Sequence, residues 1–478
     1  MTVAYWLGIA AACLMLLSAA TDAGAQDEQA DPERNIGSRL EPFIDHWLID
    51  TLEGAKLRLH PPTPREVAIT FDQPWEGSTC TYVTVFQDGD LYRMYYRGSN
   101  YDVETLKTTH EELACYAEST DGIHWTRPSL GLFEFEGTKV NNIVWRGMHN
   151  FTPFKDANPD CAPDAKYKAL GGGSGGLQAL KSPDGIHCSL MREEPVITKG
   201  AFDSQNLAFF DSVRGRYVDF HRQGRATYRD IMTCYSDDFL SWTEPVFIEY
   251  GDAPPEHLYT NAIAPYYRAP HIFMGFPKRF MPGRQSAVHP VKGISDGVFM
   301  TSRDGLNFHR WREAFIRPGL QPERWINRNN MTAWGIVQTK AADPGLPDEL
   351  SLYSNEAYYV PGNRLRRFTV RKDGFVSVNA SADGGQLVTK PLVFEGGRLV
   401  LNYATSAAGS IRVEITDAAG EPIPGFTLDD CEEIYGDEID RVVRFKDDPD
   451  LGGVAGRAVR LRFVMSDADL YSLQFRPK

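Results

Sequence analysis

Short runs in which apolar and polar side chains alternate occupy most of the chain. Residues 81–86, 91–96 and 113–118 are three such runs, and an Asp-Gly-Asp sequence at 88–90 separates the first two. A period of two places every second side chain on the same face, so each run predicts a half-buried β-strand. The glycine between aspartates is typical of a tight turn. The pattern therefore predicts antiparallel hairpins and an all-β fold.

One seven-residue phrase appears four times among these runs. Its copies occupy residues 119–125, 182–188, 236–242 and 302–308, and the first reads Ser119-Thr-Asp121-Gly-Ile-His-Trp125. Ser and Asp cap a tight turn by side-chain hydrogen bonds to the backbone, glycine accepts a positive φ, and the aromatic residue packs beneath the turn. A strand followed by this turn, repeated at intervals of 63, 54 and 66 residues, predicts the blades of a propeller.

Five such units fit between residue 75 and about residue 378. Their strands are predicted within residues 81–118, 150–180, 203–236, 260–301 and 330–370. Residues 41–50 form a further run, which we expect to close the ring by joining the last unit, because closure removes exposed edges. A β-sandwich with similar hairpins is the alternative, and the regular spacing disfavours it.

The repeated phrase is absent after residue 380, although alternation continues. Apolar residues recur at every second position within 399–403, 411–415 and 459–463. The change predicts a smaller C-terminal β-sandwich over 381–478, packed against a five-bladed β-propeller over 38–380. The second domain either binds carbohydrate or shields the edge of the propeller.

The N-terminus has the features of an export signal. An apolar segment at 10–20 precedes Ala23-Gly24-Ala25, the small-x-small pattern of a cleavage site. We therefore predict a signal peptide at 1–25, an acidic linker at 26–37 and a periplasmic or extracellular location. A membrane anchor is the alternative, but the apolar stretch is barely long enough to span a bilayer. No membrane insertion is expected after cleavage.

Composition and spacing exclude several classes of function. The chain of 478 residues carries a net charge of −14, which argues against a nucleic-acid partner. Six cysteines follow the predicted cleavage point, and none forms a Cys-x-x-Cys pair of the kind that binds zinc. The glycine-rich run 171–176 lacks the lysine and the following helix of a phosphate-binding loop. We expect no metal and no cofactor.

These features together resemble the glycoside hydrolase family 32 and family 43 superfamily. The resemblance rests on the Ser-x-Asp-Gly-x-x-Trp turns, on the opening Phe43-Ile-Asp45-His-Trp-Leu-Ile and on a propeller followed by a sandwich. More narrowly, the chain is similar to secreted bacterial proteins described as having a family 32 N-terminal-like domain. The resemblance implies three carboxylates at the central funnel, on the innermost strands of the first three blades.

The resemblance places Asp203 at this funnel, because residues 202–211 are similar to the strand that bears the family's Arg-Asp-Pro motif. In the first blade, Cys80 aligns with the nucleophilic aspartate of the family, and Glu76 is the nearest carboxylate. Glu256 precedes the fourth unit. Glycoside hydrolysis needs one carboxylic acid to protonate the leaving oxygen and a second carboxylate as nucleophile or base. The predicted catalytic residues are Asp203, Glu256 and Glu76.

Other polar residues cluster where the innermost strands begin. Hydroxyl-rich ligands are bound by amide, Arg, His and Tyr groups beside flat aromatic faces, and strands that converge on one axis bring such groups into one pocket. The predicted substrate-binding residues are Asn150, Gln205, Asn206, His257, Tyr259, Asn261, Arg328 and Asn330. Each is equally well explained as a polar loop residue that caps its strand.

The resemblance and these residues together predict a secreted glycoside hydrolase that acts on a poly- or oligosaccharide by carboxylate acid/base chemistry. The alternative is a non-catalytic carbohydrate-binding propeller, which Cys80 at the nucleophile position favours. A structural surface protein is a third possibility, and no low-complexity sequence supports it. A pair of carboxylates facing each other across the funnel would favour the enzyme.

Overall fold

A computed structural model describes residues 33–478 except Val103, Leu106, Ser174 and Asp448. Strands and turns dominate, and the helical elements of this part of the chain are three short 3-10 turns, Pro163–Ala165, Pro322–Trp325 and Leu451–Gly453. The predicted all-β class is therefore confirmed. No helix among these residues is long and apolar enough to cross a membrane. The predicted signal peptide, 1–25, lies outside the described residues.

Five four-stranded antiparallel sheets follow the predicted hairpins. The first sheet contains Thr81–Asp88, Leu91–Gly98, Leu113–Ser119 and Ile143–Arg146. The second sheet contains Thr152–Lys155, Tyr167–Gly173, Gly176–Ser182 and Ser189–Leu190. The third sheet contains Leu207–Asp211, Arg216–Arg225, Tyr228–Ser236 and Val246–Phe247.

The fourth and fifth sheets also have four strands each, and two smaller sheets are formed by other segments. The fourth sheet contains Ala264–Tyr266, Ala269–Gly275, Met300–Ser302 and Phe308–Arg310. A separate three-stranded sheet contains His257–Leu258, Lys278–Gln285 and Lys292–Gly297, and a two-stranded one contains Tyr101–Asp102 and Lys107–Thr108. The fifth sheet contains Val337–Thr339, Glu349–Glu356, Arg364–Val370 and Thr63–Thr70.

A strand from the N-terminal part of the chain completes the fifth sheet. Thr63–Thr70 pairs antiparallel with Arg364–Val370. The expectation that residues 41–50 join this sheet is wrong, because Glu41–Pro42 and Ile49–Glu53 pair with strands near the C-terminus. The edge that closure was expected to protect is covered by Thr63–Thr70 instead.

Both ends of the described chain meet in one ten-stranded sheet. Its strands are Arg34–Gly37, Glu41–Pro42, Ile49–Glu53, Ala55–Leu59, Val376–Ala380, Gly385–Thr389, Leu392–Phe394, Arg398–Asp417, Asp437–Val442 and Val459–Arg476. The alternating apolar residues predicted within 399–403, 411–415 and 459–463 are buried in its core. The division into 38–380 and 381–478 stays a prediction, and the second range needs strands from residues 34–59 to complete its sheet.

The repeated phrase forms the same turn in all four copies. In the first copy, Ser119 Oγ accepts a hydrogen bond from the backbone N–H of Gly122 at 2.9 Å. Asp121 Oδ1 accepts from the N–H groups two and three residues further on, at 2.7 and 2.8 Å. The Ser and Asp of the other three copies make the corresponding contacts. The predicted turn chemistry is confirmed.

These turns also join neighbouring sheets. Tyr95, in the first sheet, donates its hydroxyl hydrogen bond to the carbonyl of Gly185 in the turn of the second sheet, at 2.9 Å. Tyr353, in the fifth sheet, donates in the same way to Gly122 in the turn of the first sheet. The first sheet is therefore bonded to both the second and the fifth.

The charge on the turn aspartates should make stability fall in acid. Burial raises the pKa of Asp121, but hydrogen bonds from His124, from backbone N–H groups and from Ser119 outweigh it and leave the pKa lowered. The aspartates of the other three copies also have lowered pKa values. A carboxylate with a lowered pKa stabilises the fold above its unfolded pKa of about 3.9, and the contribution is lost as the pH falls through the folded value.

We expect Asp121→Asn to lower the free energy of unfolding by about 0.5–1 kcal/mol near neutral pH, a small effect because the carboxylate is partly exposed. Asn keeps the acceptor oxygen and lacks the charge. The difference from the parent should shrink as the pH falls below about 4, because the aspartate of the unfolded parent then binds a proton that the folded parent, with its lowered pKa, binds only at lower pH. Urea titrations at several pH values measure this difference in the free energy of unfolding. A difference that is independent of pH would contradict a stabilising role for the Asp121 charge.

The first strands of the first, second, third and fifth sheets lie side by side. Thr152–Lys155 contacts both Thr81–Asp88 and Leu207–Asp211, and Val337–Thr339 contacts Thr81–Asp88. The chain segments that precede these strands are distant in sequence. This arrangement brings several of them together at one end of the strands.

Candidate active site

Two tyrosine hydroxyls and the backbone of Asp203 meet where these segments converge. Tyr82 lies at the start of the first sheet and Tyr259 lies before the fourth sheet. Their hydroxyl oxygens are 3.4 Å apart. The Tyr259 hydroxyl donates to the backbone carbonyl of Asp203, in the loop before the third sheet, at 3.0 Å. Three separate segments therefore contact one another here, as the convergence of strands predicts.

Cationic side chains surround the two tyrosines. The Arg97 guanidinium lies 4.7 Å from the centre of the Tyr82 ring. The Arg222 guanidinium, the Lys278 ammonium and the Arg328 guanidinium lie 4.7, 4.3 and 5.8 Å from the centre of the Tyr259 ring. The negative face of an aromatic ring attracts cations at these distances.

A third tyrosine links the cations. The hydroxyl of Tyr358 accepts hydrogen bonds from Arg97 at 2.9 Å and from Arg328 at 3.0 Å. We call the whole set the arginine–tyrosine cluster, and its members are Tyr82, Arg97, Arg222, Tyr259, Lys278, Arg328 and Tyr358.

Two carboxylates lie at the edge of the cluster. Asp203, whose side chain is 66% exposed, forms an ion pair with Arg222. Glu112 pairs with Arg97 at 2.9 Å and also with His149. Burial raises the pKa of Glu112, but the hydrogen bond from His149 and the charge of Arg97 outweigh it and leave the pKa lowered. Glu112 is therefore ionised at neutral pH and is no proton donor.

The backbone is strained where the cluster forms. The φ angle is +52° at Tyr82, +67° at Arg328 and +75° at the adjacent Tyr359. Residues other than glycine rarely adopt this left-handed backbone conformation. Each one that does adds strain on the order of 1 kcal/mol or more to the folded state. Strain of this kind concentrates at functional sites, which supports a functional role for this one.

The cations change the acidity of the cluster's own groups. Burial raises the pKa of Tyr259, but the charge of Arg328, the hydrogen bond from Tyr82 and the charge of Arg222 outweigh it and leave the pKa below its usual range. Burial and Tyr259 raise the pKa of Tyr82. Tyr259 is therefore the more acidic hydroxyl of the pair.

Of the three predicted catalytic carboxylates, only Asp203 lies at the cluster. Glu76 is completely buried, and its two oxygens accept hydrogen bonds from Arg127 at 2.8 and 3.0 Å. Glu256 forms ion pairs with two arginines, at 3.3 and 2.5 Å. Within the described chain, no hydrogen bond or ion pair joins either glutamate to the cluster. The expected triad of Asp203, Glu256 and Glu76 is therefore not assembled at one place.

Cys80, at the aligned nucleophile position, is buried as well. Burial and the charge of Glu76 raise the pKa of its thiol to about 12, so the reactive thiolate is not formed at neutral pH. All six cysteines of the described chain are free thiols.

The predicted substrate-binding amides bind backbone instead. Asn150 donates to the carbonyl of Ser204 at 2.7 Å, and Gln205 donates to that of Val83 at 3.1 Å. The remaining three, Asn206, Asn261 and Asn330, also donate to backbone carbonyls. All five are buried, and a buried polar group requires a partner. All except Asn206, whose partners lie in its own loop, link separate segments of the chain. This is the structural alternative considered from the sequence.

His257 lies beside the cluster. Its Nδ1 accepts a hydrogen bond from the backbone N–H of Arg229 at 3.2 Å, and its ring packs edge-to-face against Phe280. Burial and the charge of Arg229 lower its pKa, so it is neutral at neutral pH. Of the predicted binding residues, Tyr259 and Arg328 are the ones that belong to the cluster.

Sequence reasoning missed Arg97, Arg222 and Lys278. Each lies within a strand, and each is buried. The available signal was a charged side chain inside a strand, because Lys and Arg are almost never fully buried without a partner. The pattern of strands alone did not show which of them meet.

One group of potential metal ligands occurs within the described chain. Asp219, His221 and Cys234 are buried in the third sheet, with ligand atoms within 4.8 Å of one another. Asp219 is hydrogen-bonded to both other residues. Burial and Asp219 raise the pKa of the Cys234 thiol, and a protonated thiol is a poor metal ligand. The three residues are better described as a hydrogen-bonded group in the core.

A cavity of about 700 Å³ is lined by residues further along the same first strands. Most of its lining is apolar and includes Val85, Phe154, Phe209 and Trp334. The only carboxylate among its lining residues, Asp156, is bound by Lys168. The cavity therefore offers less acid/base chemistry than the cluster does.

No protein-family model and no curated protein matches this chain. One solved structure that resembles it is described as a glycoside hydrolase, with 14% identity, a TM-score of 0.44 and coverage of 65% of this chain and 92% of that chain. An N-acetylgalactosamine deacetylase from F. plautii, in complex with blood group B trisaccharide, has 14% identity, a TM-score of 0.42 and coverage of 67% and 94%. The catalytic domain of a GH62 α-L-arabinofuranosidase from Coprinopsis cinerea has 10% identity, a TM-score of 0.42 and coverage of 65% and 97%.

The identity of these matches is too low for residues to be carried over from them to the cluster.

Proposed function

We propose that the chain is a five-bladed β-propeller with a C-terminal β-sandwich and that it hydrolyses a glycan at the arginine–tyrosine cluster. Five four-stranded sheets, the first bonded to both the second and the fifth, support the propeller. One observation carries the function. An exposed carboxylate, Asp203, is paired with Arg222 beside Tyr259, a hydroxyl whose pKa is lowered.

These two groups supply the acid and the base that hydrolysis needs. The Asp203 carboxylate takes a proton from water as the water oxygen bonds to the anomeric carbon. The Tyr259 hydroxyl gives its proton to the leaving glycosidic oxygen as that bond breaks. Asp203 then returns its proton through solvent to Tyr259, so one water is consumed and no other reactant is needed. Glu256 and Glu76 take no part in this scheme.

A carbohydrate-binding propeller without catalysis is the second candidate. It is favoured by one observation, namely that Glu76 and Glu256 are held in ion pairs away from the cluster. In that case the cations and aromatic faces of the cluster would bind the glycan without cleaving it.

A panel of poly- and oligosaccharides distinguishes the two candidates. Each glycan is incubated with the purified protein, binding is measured by calorimetry, and cleavage is measured by the release of reducing ends. Hydrolysis predicts new reducing ends that accumulate with time on at least one glycan that binds. Saturable binding without any new reducing ends would support the binding protein instead.

We also propose export to the periplasm or to the extracellular space, from the signal features of residues 1–25. N-terminal sequencing of the secreted protein should begin at Gln26. Recovery of the uncleaved chain from the cytoplasm alone would contradict this proposal.

A further inference from the structure

Three cationic side chains in and beside the cluster form no ion pair within the described chain. Lys278 is 1% exposed, and its ammonium donates to the amide oxygen of Asn327 at 3.1 Å. Arg328 donates to a tyrosine hydroxyl at 3.0 Å. The Arg229 guanidinium lies 5.6 Å from the centre of the Tyr259 ring. Arg229 and Arg328 are half-buried, whereas a cationic side chain as buried as Lys278 normally has an anionic partner, so Lys278 above all requires an explanation.

The cluster holds more positive than negative charge. Five cations lie in or beside it, namely Arg97, Arg222, Arg229, Lys278 and Arg328, whereas Asp203 and Glu112 are the carboxylates that pair with them. The excess occurs in a chain whose net charge is −14. A local concentration of one charge in a molecule of the opposite net charge is typical of a site for a charged ligand.

The like charges also destabilise one another. Burial lowers the pKa of Lys278 well below its usual range, and the charges of Arg328, Arg229 and Arg222 lower it further. An anion bound among these groups would neutralise the repulsion and favour the charged ammonium. Guanidinium groups suit this task because they pair with carboxylate or sulfate oxygens through two parallel hydrogen bonds.

Aromatic rings lie beside the same cations. The half-buried Phe280 ring is 5.4 Å from both the Lys278 ammonium and the Arg229 guanidinium, and the Tyr359 ring is 5.9 Å from the Arg328 guanidinium. Flat aromatic faces pack against the apolar faces of sugar rings. A sugar that carries a negative charge matches both kinds of group.

We propose that the arginine–tyrosine cluster binds the carboxylate or sulfate group of an anionic glycan between Arg222, Lys278 and Arg328. The inference deepens the proposed function, on which it rests for the identity of the ligand as a glycan. Carboxylate and sulfate share the chemistry that these cations recognise, so the experiment separates them.

Binding of two matched pairs of probes to the full chain tests the inference. Dextran sulfate is compared with dextran, and polygalacturonate is compared with its fully methyl-esterified form, each by calorimetry at low salt. The protein should bind at least one anionic probe about tenfold or more tightly than its neutral counterpart, and the preference should weaken with added salt. The pair that shows the preference identifies sulfate or carboxylate as the bound group.

Two variants locate the binding. Lys278→Met and Arg328→Met each remove one unpaired cation and should lose about tenfold or more in affinity for the anionic probe. Lys278→Met should melt no lower than the parent, because it removes a buried ionisable group that has no anionic partner. If that variant fails to fold, Arg328→Met retains the test. The control Arg441→Met removes a partly exposed arginine of the ten-stranded sheet and should bind like the parent.

Equal binding of charged and neutral probes, or binding of neither charged probe, would overturn the inference. Unchanged affinity in both cluster variants would do so too, as would tighter binding of single-stranded DNA than of any glycan. Tighter binding of an anionic glycan, with no glycan of the panel cleaved, would refute the hydrolase and support this inference. Cleavage of neutral glycans alone would support the hydrolase and refute this inference.

Discussion

Asp203→Asn is expected to lower kcat for glycan hydrolysis by about 100-fold or more while the protein stays folded. Asn preserves the shape of the side chain but does not accept the proton of the attacking water. Since the Asp203 side chain is 66% exposed, loss of its charge should change the melting temperature little. Initial rates of reducing-end release give kcat, and a thermal melt on the same preparation gives the melting temperature.

Asp440→Asn is the matched control for this variant. Asp440 is 58% exposed and pairs with Arg476 at 2.6 Å, so its environment resembles that of Asp203, but it lies on the ten-stranded sheet. We expect its kcat to stay close to that of the parent. Full activity in Asp203→Asn would remove Asp203 from the chemistry, whereas loss of activity together with unfolding would indicate a structural role.

Glu76→Gln is expected to lower the free energy of unfolding by about 3–5 kcal/mol, because it leaves the Arg127 guanidinium without its buried partner. The Glu76 side chain is fully buried and binds Arg127 through both oxygens. Activity per folded molecule should remain that of the parent, since Glu76 does not contact the cluster. Urea unfolding measures the first effect, and rates well below the melting transition measure the second.

The control for Glu76 is Glu433→Gln. Glu433 is half exposed and pairs with Arg412 at 3.2 Å, so its loss should cost about 0–1 kcal/mol. If Glu76→Gln keeps full stability and loses activity, Glu76 belongs to the chemistry and the structural assignment is wrong.

Local chemistry explains which parts of the fold were predictable. The four Ser-x-Asp turns depend on side chains within five residues of one another, so the phrase at 119–125 predicts its own hydrogen bonds. Alternation likewise identifies strands. The partner of a strand is not a local property, which is why residues 41–50 were expected in the fifth sheet, where Thr63–Thr70 is found.

The candidate site was less predictable, because its members act at long range. Arg97, Arg222 and Lys278 meet only after the strands that carry them converge, and each looks like an ordinary strand residue in the sequence. Asp203 and Tyr259, which were expected at the site because they lie near strand starts, do lie at the cluster. Glu76 does not, because the chain there places its carboxylate against Arg127 in the core.

The backbone partners of the predicted amide ligands were not predictable for a related reason. Polar residues at strand starts serve either a ligand or the backbone of a neighbouring loop. Asn150 and Gln205 satisfy carbonyls of other loops, and these partners cannot be identified from sequence spacing. Only the folded structure shows which group each amide is hydrogen-bonded to.

The most direct test of hydrolysis at the cluster is to incubate a glycan that binds with the protein in water enriched in heavy oxygen and to weigh the products by mass spectrometry. Hydrolysis with Asp203 as base predicts heavy oxygen on the new anomeric carbon, at a rate that falls about 100-fold or more in Asp203→Asn and not in Asp440→Asn. Intact glycan in the bound fraction, or products without the heavy oxygen, would contradict it.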